Sequence, residues 1–389
     1  MPLKDSFVGL YLKRFVIPGA LVFNKPGFLD FKISGKTNIY ARQIFYPEDF
    51  FVDFESKMVK KFGTAGRQKL YSIGKKFGYR FAQSGKFENI KDNPGDKIKN
   101  WVFITSKFVE GTYASSIENI TDPNIPLTDY TLKKFTILEK LGYDYIFATG
   151  GTAGMMAWIF QDPTVEVVLH DLNKVDGLYE GVVSAAPYKH LKDKFLDQEI
   201  LSETSLDNLL EAFQDYIKFN AQAQTSCTKS FQTYLDFNFF DYQSGIVKFK
   251  DKRFFLFEVS GTYLIELELK NSTNKEYIKL LFDSAFDTGK NILAQFGKNQ
   301  KDVFDVLSAL GWGEVISFSS SGDLKVLVNH FPWSKWYKDI DYIIMRGFLS
   351  GILTSLTGQT VIFDKPTIDL SKGHLSLLFG GKYVKDRKG

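Results

Sequence analysis

The chain has 389 residues, with 49 basic side chains against 45 acidic ones and a net charge of +4. So even a balance argues against a nucleic-acid binder, and the single cysteine, Cys227, excludes a disulfide or a thiolate metal cluster within one chain. Hydrophobic residues make up 44 % and Phe alone numbers 38, which is ample apolar volume for two or three domains of roughly 150 residues each. The first residues, Met1 to Ser6, read as lacking a signal peptide. No window offers about 18 uninterrupted apolar residues, so no membrane span is expected. One cysteine fits a reducing, cytoplasmic setting. The basic residues Lys382, Lys385, Arg387 and Lys388 read as a solvated tail.

In chain order, a β-hairpin is expected first, residues 27–33 with 38–45, rich in Phe and Ile and broken by Gly and charged turns. Helices are expected over 69–83 and 97–109. Residues 120–131 read as an irregular insertion. Leu206, Leu209, Leu210, Phe213, Tyr216 and Ile217 fall at helical spacing behind a possible N-cap, Ser205, and predict a linker helix. A second hairpin follows, 245–249 with 253–259, then helices over 276–296 and 301–310, the latter ended by Gly311. Residues 314–319 and 324–329 read as a hairpin around Ser321-Gly322-Asp323. An apolar helix over 340–356 stops at Gly358, and strands 360–363 and 375–379 close the chain.

The order of these elements repeats. Asp144-Tyr145-Ile146 matches Asp341-Tyr342-Ile343, and the same register aligns Gly150 with Gly347 and Gly154 with Gly351. With a slip of one residue, Thr164-Val165 matches Thr360-Val361 and Gly177 matches Gly373. Leu70-Tyr71 up to Gly78 resembles Leu281-Phe282 up to Gly289, and Gly27, Phe31 and Lys32 match Gly245, Phe249 and Lys250. The blocks keep their order, so two copies of one module are expected. The implied fold class is α/β (α+β), each copy an antiparallel sheet packed on helices, the two arranged as an intramolecular pseudo-dimer within a monomer. The expected division is 1–194 for the first module, 195–240 for a helical linker and 241–389 for the second module.

Ala148-Thr149-Gly150-Gly151-Thr152-Ala153 invites a phosphate-loop reading, since Gly-rich turns before a helix cradle anions. Its match in the second copy, Met345 to Ser350, lies inside an apolar helical pattern, so these glycines are read as small residues on a helix face. The histidines His170, His190, His330 and His374 do not pair at metal-ligand spacing. Neither a catalytic triad order nor a zinc-protease or dinucleotide fingerprint is present. No catalytic residue, metal or cofactor is therefore assigned. The candidate ligand-binding set is Trp312, His330, Phe331, Trp333, Trp336, Tyr337 and Phe348, because aromatics this dense can line a cavity as well as fill a core.

Each copy resembles the 4-vinyl-reductase-type domain, which is distantly related to the small subunits of the TRAPP tethering complex. The second copy carries the likeness in Leu310-Gly311-Trp312-Gly313-Glu314, in Gly347 to Leu353, in Leu356-Thr357-Gly358-Gln359-Thr360-Val361, and in Gly373 and Phe379. The first copy matches through Gly150, Gly154, Thr164, Val165 and Gly177. Many members place two zinc-binding cysteines around the final Gly. Here Asp369 and Leu377 stand there, and Asn173 and Gly181 in the first copy, so the zinc site is not carried over. The resemblance implies an apolar pocket and non-catalytic binding or sensing of a small hydrophobic or aromatic ligand. The alternatives are a scaffold for a protein partner, or a reductase subunit working with a separate redox partner.

Overall fold

A computed structural model describes residues 21–32, 40–84, 116–122, 127–133, 146–175, 178–202, 206, 225–243, 246–320 and 323–384. The helix expected over 97–109 and the linker helix over 206–217, Leu206 excepted, lie outside the described residues. The architecture is mixed α/β with antiparallel sheets. The first elements are β1 (Leu21–Val22), β2 (Asp30–Lys32), β3 (Tyr40–Pro47), α1 (Glu48–Phe62) and α2 (Thr64–Ser84). Next come β4 (Ser116–Asp122), β5 (Leu127–Lys133), α3 (Ile146–Phe160), β6 (Val165–Val175), β7 (Leu178–Pro187) and α4 (Tyr188–Lys194). They are followed by α5 (Phe231–Asp236), β8 (Asp241–Gln243), β9 (Ile246–Phe249), β10 (Lys252–Glu258), α6 (Val259–Lys270), α7 (Glu276–Asn291) and α8 (Gln300–Leu307). The chain closes with β11 (Glu314–Ser320), β12 (Asp323–Asn329), α9 (Ile343–Thr357), β13 (Val361–Phe363), β14 (Thr367–Asp369) and β15 (Ser376–Tyr383).

Two compact units result. One is built chiefly on Glu55–Gln214; the other contains Leu21–Phe54, Asp215–Asp241 and Val247–Gly389. The N-terminal hairpin thus groups with the C-terminal half of the chain. The reason is backbone pairing, since β3 lies antiparallel to β10 with Phe45 opposite Leu256.

The first unit orders its sheet β4-β5-β7-β6 and packs α2 against α3. Helix α3 runs unbroken through Gly150 and Gly151, so residues 148–153 form no phosphate loop. The glycines serve helix contact instead. A Cβ on Gly150 would strike the Tyr71 carbonyl, and one on Gly154 the Lys75 carbonyl. The N-terminus of α3 is capped from α1, where the buried Glu55 carboxylate accepts the amides of Ile146 (2.9 Å) and Phe147 (3.4 Å). Helix amides without an intrahelical partner need such an acceptor when buried.

The second unit repeats this construction with its own residues. Its later sheet runs β11-β12-β15-β13, and α7 packs on α9. A Cβ on Gly347 would crowd the Phe282 carbonyl, and one on Gly351 the Phe286 carbonyl. Glu266 of α6 accepts the amides of Ile343 (2.8 Å) and Ile344 (3.1 Å) at the start of α9. Gly358, in the left-handed conformation at φ 69°, ends α9 and returns its amide to the Thr354 carbonyl. Where β6 continues past a bulge between His170 and Asn173, the corresponding stretch here breaks into β13 and β14. Pro366 stands between them and cannot donate to the ladder.

One expectation needed revision, and two helices had not been expected. Residues 120–131 are no irregular insertion: Ile120 to Asp122 and Leu127 to Thr131 belong to the hairpin β4–β5. Its Thr and Tyr residues favour strands, but scattered Asp and Asn obscure the alternation. Helix α6 was not foreseen, because Val259, Thr262, Tyr263 and Ile265 are strand formers by propensity, overridden here by burial on nearly every side. Helix α1 was also not foreseen.

The two units differ at the matched positions of these helices, α2 and α7. In the first, Lys75 on α2 is fully buried, with its Nζ 2.5 Å from Glu166 Oε1 and 2.9 Å from the Pro163 carbonyl oxygen. The Tyr71 hydroxyl donates to Glu166 Oε2 at 2.6 Å and accepts the Val167 amide at 3.2 Å. In the second unit Phe282 and Phe286 hold the places of Tyr71 and Lys75 against the facing glycines. A buried ion pair stabilises little by itself but is costly to break from one side. Lys75→Met is therefore expected to cost about 3–5 kcal/mol in urea unfolding. The triple variant Tyr71→Phe, Lys75→Met, Glu166→Leu should recover most of that loss. A single variant as stable as the wild type would refute the assignment of a closed, water-free pair.

Candidate functional site

The aromatic candidates fall in the second unit and separate into three groups. Trp312 follows the turn Ser308–Trp312, where Gly311 at φ 95° and Gly313 at φ 90° redirect the chain inward. Its ring lies 5.4 Å from Phe348 of α9, 5.2 Å from Tyr46 of β3 and 6.2 Å from Phe331. Phe50 closes on Phe348 at 5.2 Å, and Phe331 meets Tyr342 at 5.6 Å and Tyr263 at 6.4 Å. These rings form one buried box. Trp333 and Tyr337 pair with each other at 5.8 Å and are half-buried, while Trp336 is buried with the Lys335 ammonium over its ring. His330 lies in a third place, stacked on His374 at 3.9 Å and facing Phe28 at 5.5 Å.

The box has polar groups inside it. The Tyr46 hydroxyl hydrogen-bonds Thr262, whose own hydroxyl donates to the Val259 carbonyl at 2.8 Å. Tyr263 donates to the Pro332 carbonyl at 2.8 Å, and Tyr342 to the Tyr337 carbonyl at 2.7 Å. Burial pushes all three phenols well above their ordinary range, so each keeps its proton. Glu266 sits beneath them, and burial raises its carboxyl to about 7 against the opposing pull of two helix amides. Glu258, the N-cap of α6, is raised to about 7 for the same reason while accepting from Ser260.

A second polar cluster fixes the loops beside the box. Asp30 of β2 is buried and pairs with Arg42 of β3, Nε to Oδ1 3.2 Å. Arg42 Nη2 points at the carbonyl oxygens of Gly27 (3.3 Å), Gly311 (3.5 Å) and His330 (3.5 Å). All three of these residues have positive φ. The guanidinium also lies 4.4 Å from the Phe28 ring. Burial raises the Asp30 carboxyl to about 6, opposed by the charge of Arg42. Glu314 accepts from the Ser226 amide and hydroxyl and from Asn329 Nδ2 (2.9 Å), tying the segment before α5 to β11. Burial pushes the neighbouring Cys227 thiol up to about 11, which keeps it unreactive.

No family model and no curated protein matches the chain. A solved vinyl-4-reductase family protein from Methanocaldococcus jannaschii is similar to part of it. That match covers 31 % of this chain and 88 % of the other, at 18 % identity and a TM-score of 0.21.

An open recess of about 420 Å³ lies elsewhere in the second unit, lined by Lys298, Asn299, Gln300, Lys301, Leu356 and Thr357, and none of the candidate aromatics borders it. Among the described residues there is no group of three or more His, Cys, Asp or Glu side chains able to hold a metal. No described helix is long and apolar enough to cross a membrane. Of the candidate residues, Trp312, Phe331 and Phe348 lie together, and their neighbours Tyr46, Phe50, Thr262, Tyr263, Tyr342 and Glu266 were not among the candidates. The strand character of 253–259 was readable, but its pairing with β3 had no local signal.

Arg42→Met would leave Asp30 buried with only the more distant charge of Lys25 and would remove the donor that faces the three carbonyls. The expected loss is about 3–5 kcal/mol in chemical unfolding. A carboxyl raised by burial contributes stability at low pH that is lost as pH rises through its folded value, so the loss should be larger at pH 8 than at pH 5. A loss that is small, or independent of pH, would count against the pairing.

Proposed function

We propose that the chain binds a small hydrophobic, aromatic ligand without catalysing a reaction on it, and that the unit containing Trp312 is the binder. The observation that carries this reading is the set of protonated hydroxyls inside the aromatic box. A core under selection only for packing is filled with hydrocarbon, because each buried hydroxyl must find a partner. Tyr46, Thr262, Tyr263 and Tyr342 set hydroxyls among flat apolar walls; their protons go to partners within the protein, and their remaining oxygen lone pairs can accept from an aromatic molecule bearing a donor. The resemblance of the second copy to 4-vinyl-reductase-type domains implies the same use. The cluster around His330 serves as the frame of this site in our reading, and Trp333, Trp336 and Tyr337 as its outer rim.

We further propose that the chain arose by duplication. The glycine-to-carbonyl contacts and the Glu55 and Glu266 caps recur at sequence-matched positions, which supports it. The pairing of β3 with β10 supports it as well: Phe45 stands opposite Leu256, with Ile44 opposite Phe257 and Tyr46 opposite Phe255. Such self-complementary pairing is what two copies of one strand make when they meet.

The tight ring spacing favours a second reading, a solid scaffold for a protein partner. One experiment decides between them. Purified protein is examined by native mass spectrometry and by thermal unfolding against phenols, indoles and fatty acids. A ligand at about 100 times its Kd should add about 2.7 kcal/mol and raise Tm by several degrees. Phe348→Ala, which opens space inside the box, should cost about 3–5 kcal/mol alone and gain more from a small aromatic than the wild type does. If nothing co-purifies and neither protein is stabilised, the scaffold reading replaces the binding one.

A further inference from the structure

Between β12 and α9 the chain runs through residues 330–342 without forming a helix or a strand. Loops of about 12 residues or more with no secondary structure of their own are uncommon in compact domains, and an ordered one is usually a lid or a binding loop. This one is bounded at both ends by a side-chain-bearing residue in the left-handed region, His330 at φ 54° and Tyr342 at φ 55°. It also supplies a wall of the aromatic box: Phe331 lies 6.2 Å from Trp312, and Tyr342 6.1 Å from Tyr263. We propose that residues 331–341 are a lid on the aromatic box, hinged at His330 and Tyr342 and latched to α6, and that a ligand enters when this segment swings outward.

The segment is built to move as one body. The Tyr337 amide donates to the Ser334 carbonyl (3.0 Å) and the Asp339 amide to the Trp336 carbonyl (2.8 Å), so these bonds travel with it. Its attachment to α6 is made by side chains. Tyr263 donates to the Pro332 carbonyl at 2.8 Å, inside the protein. Lys270, at the other end of α6, donates to the Asp339 carbonyl at 2.7 Å and pairs with Asp341 at 3.0 Å, nearer the surface. Lys365 pairs with the same Asp341 oxygen at 2.7 Å. One latch is therefore buried and neutral, and the other is charged and open to water.

The closed lid is the ground state, because Phe331, Trp336 and Ile340 are all buried in it. Two features work the other way. A side-chain-bearing residue at positive φ is strained, and each hinge can relax when the lid turns out. Opening also returns the Pro332 carbonyl and the Lys270 ammonium to water, so their bonds are exchanged for hydration rather than lost outright. Opening is thus a rare local event that needs less free energy than unfolding the unit, since α7 and α9 keep their packing throughout. The lid rests on the binding reading above only for its purpose, which is to admit a ligand to a box that is otherwise closed.

Thiol labelling of the full chain tests it. In a Cys227→Ala background, Thr262→Cys puts the only thiol in the box, where Thr262 is 6 % exposed. Labelling by iodoacetamide between zero and low urea should proceed at a rate that does not depend on urea, because a local opening exposes little surface. Adding Tyr263→Phe leaves the Pro332 carbonyl without its donor only while the lid is shut. It should speed labelling about tenfold, with the same flat dependence on urea. A rate that climbs from the first addition of urea with the slope of global unfolding overturns the lid, and so does a rate that Tyr263→Phe leaves unchanged. If Thr262→Cys fails to fold, amide exchange at Phe331, which donates to the Leu375 carbonyl at 3.0 Å, is followed in the wild type and in Tyr263→Phe and judged by the same two criteria. The two ideas fail separately: ligand stabilisation without local opening sinks the lid alone, and local opening without ligand stabilisation sinks the binding reading alone.

Discussion

Arg42 carries its charge in a largely buried place, and the loops of the second unit gather carbonyl oxygens around it. A guanidinium has five donors in a fixed fork. Here Nε lies 3.2 Å from Asp30 without a hydrogen bond, and Nη2 faces the carbonyls of Gly27, Gly311 and His330. Each carbonyl is turned inward by a positive φ, a conformation that Gly adopts freely and His330 only at a cost. The turn at Gly311 delivers Trp312 into the box. The β2–β3 hairpin that supplies Arg42 also supplies Tyr46. One buried charge thus ties the N-terminal hairpin to the loop that carries the central indole.

The helix pairs obey a different constraint, the distance between backbones. Where α2 crosses α3, and α7 crosses α9, glycine lets a helix approach the carbonyls of its neighbour too closely for any Cβ. The second helix of each pair receives a carboxyl from a third helix at its first amides, Glu55 in one unit and Glu266 in the other. Given that frame, the layer beneath the helices is free to vary. One unit places the buried Lys75–Glu166 pair there, and the other has the half-buried Phe282 and Phe286 at the matching positions.

Local pattern made much of this readable. The hairpin at 314–329 shows strand residues around a Ser-Gly-Asp turn, and the structure pairs Glu314 with Asn329 and Ser320 with Asp323. The glycines of 148–153 read as helical because their counterparts lie in an apolar helix, and α3 runs through them. What was not readable depends on distance along the chain. Nothing near Tyr46 indicates that its partners are Trp312 and Phe348, and nothing near Glu266 indicates that it caps Ile343. Helix α6 was hidden because its strand-forming residues are buried all round, which erases the periodicity that marks an amphipathic helix. Likewise, aromatic density at 331–337 could not say which rings face inward; Phe331 joins the box, while Trp333 and Tyr337 pair outside it.

The two buried carboxyls near the box, Glu258 at the end of β10 and Glu266 within α6, cap different helices. Glu258 caps its own helix, accepting from Ser260 two residues on, so its bonds survive any movement that carries α6 as a rigid body. Glu266 caps a helix that begins at Ile343, so its bonds lie across a seam between packing partners. Equal burial therefore has unequal consequences. Glu266 instead ties α6 to the start of α9, whose N-cap residue, Tyr342, is left-handed and offers no side-chain cap. Of the two carboxyls, Glu266 is the one whose loss would free the first amides of a helix that has no side-chain cap of its own.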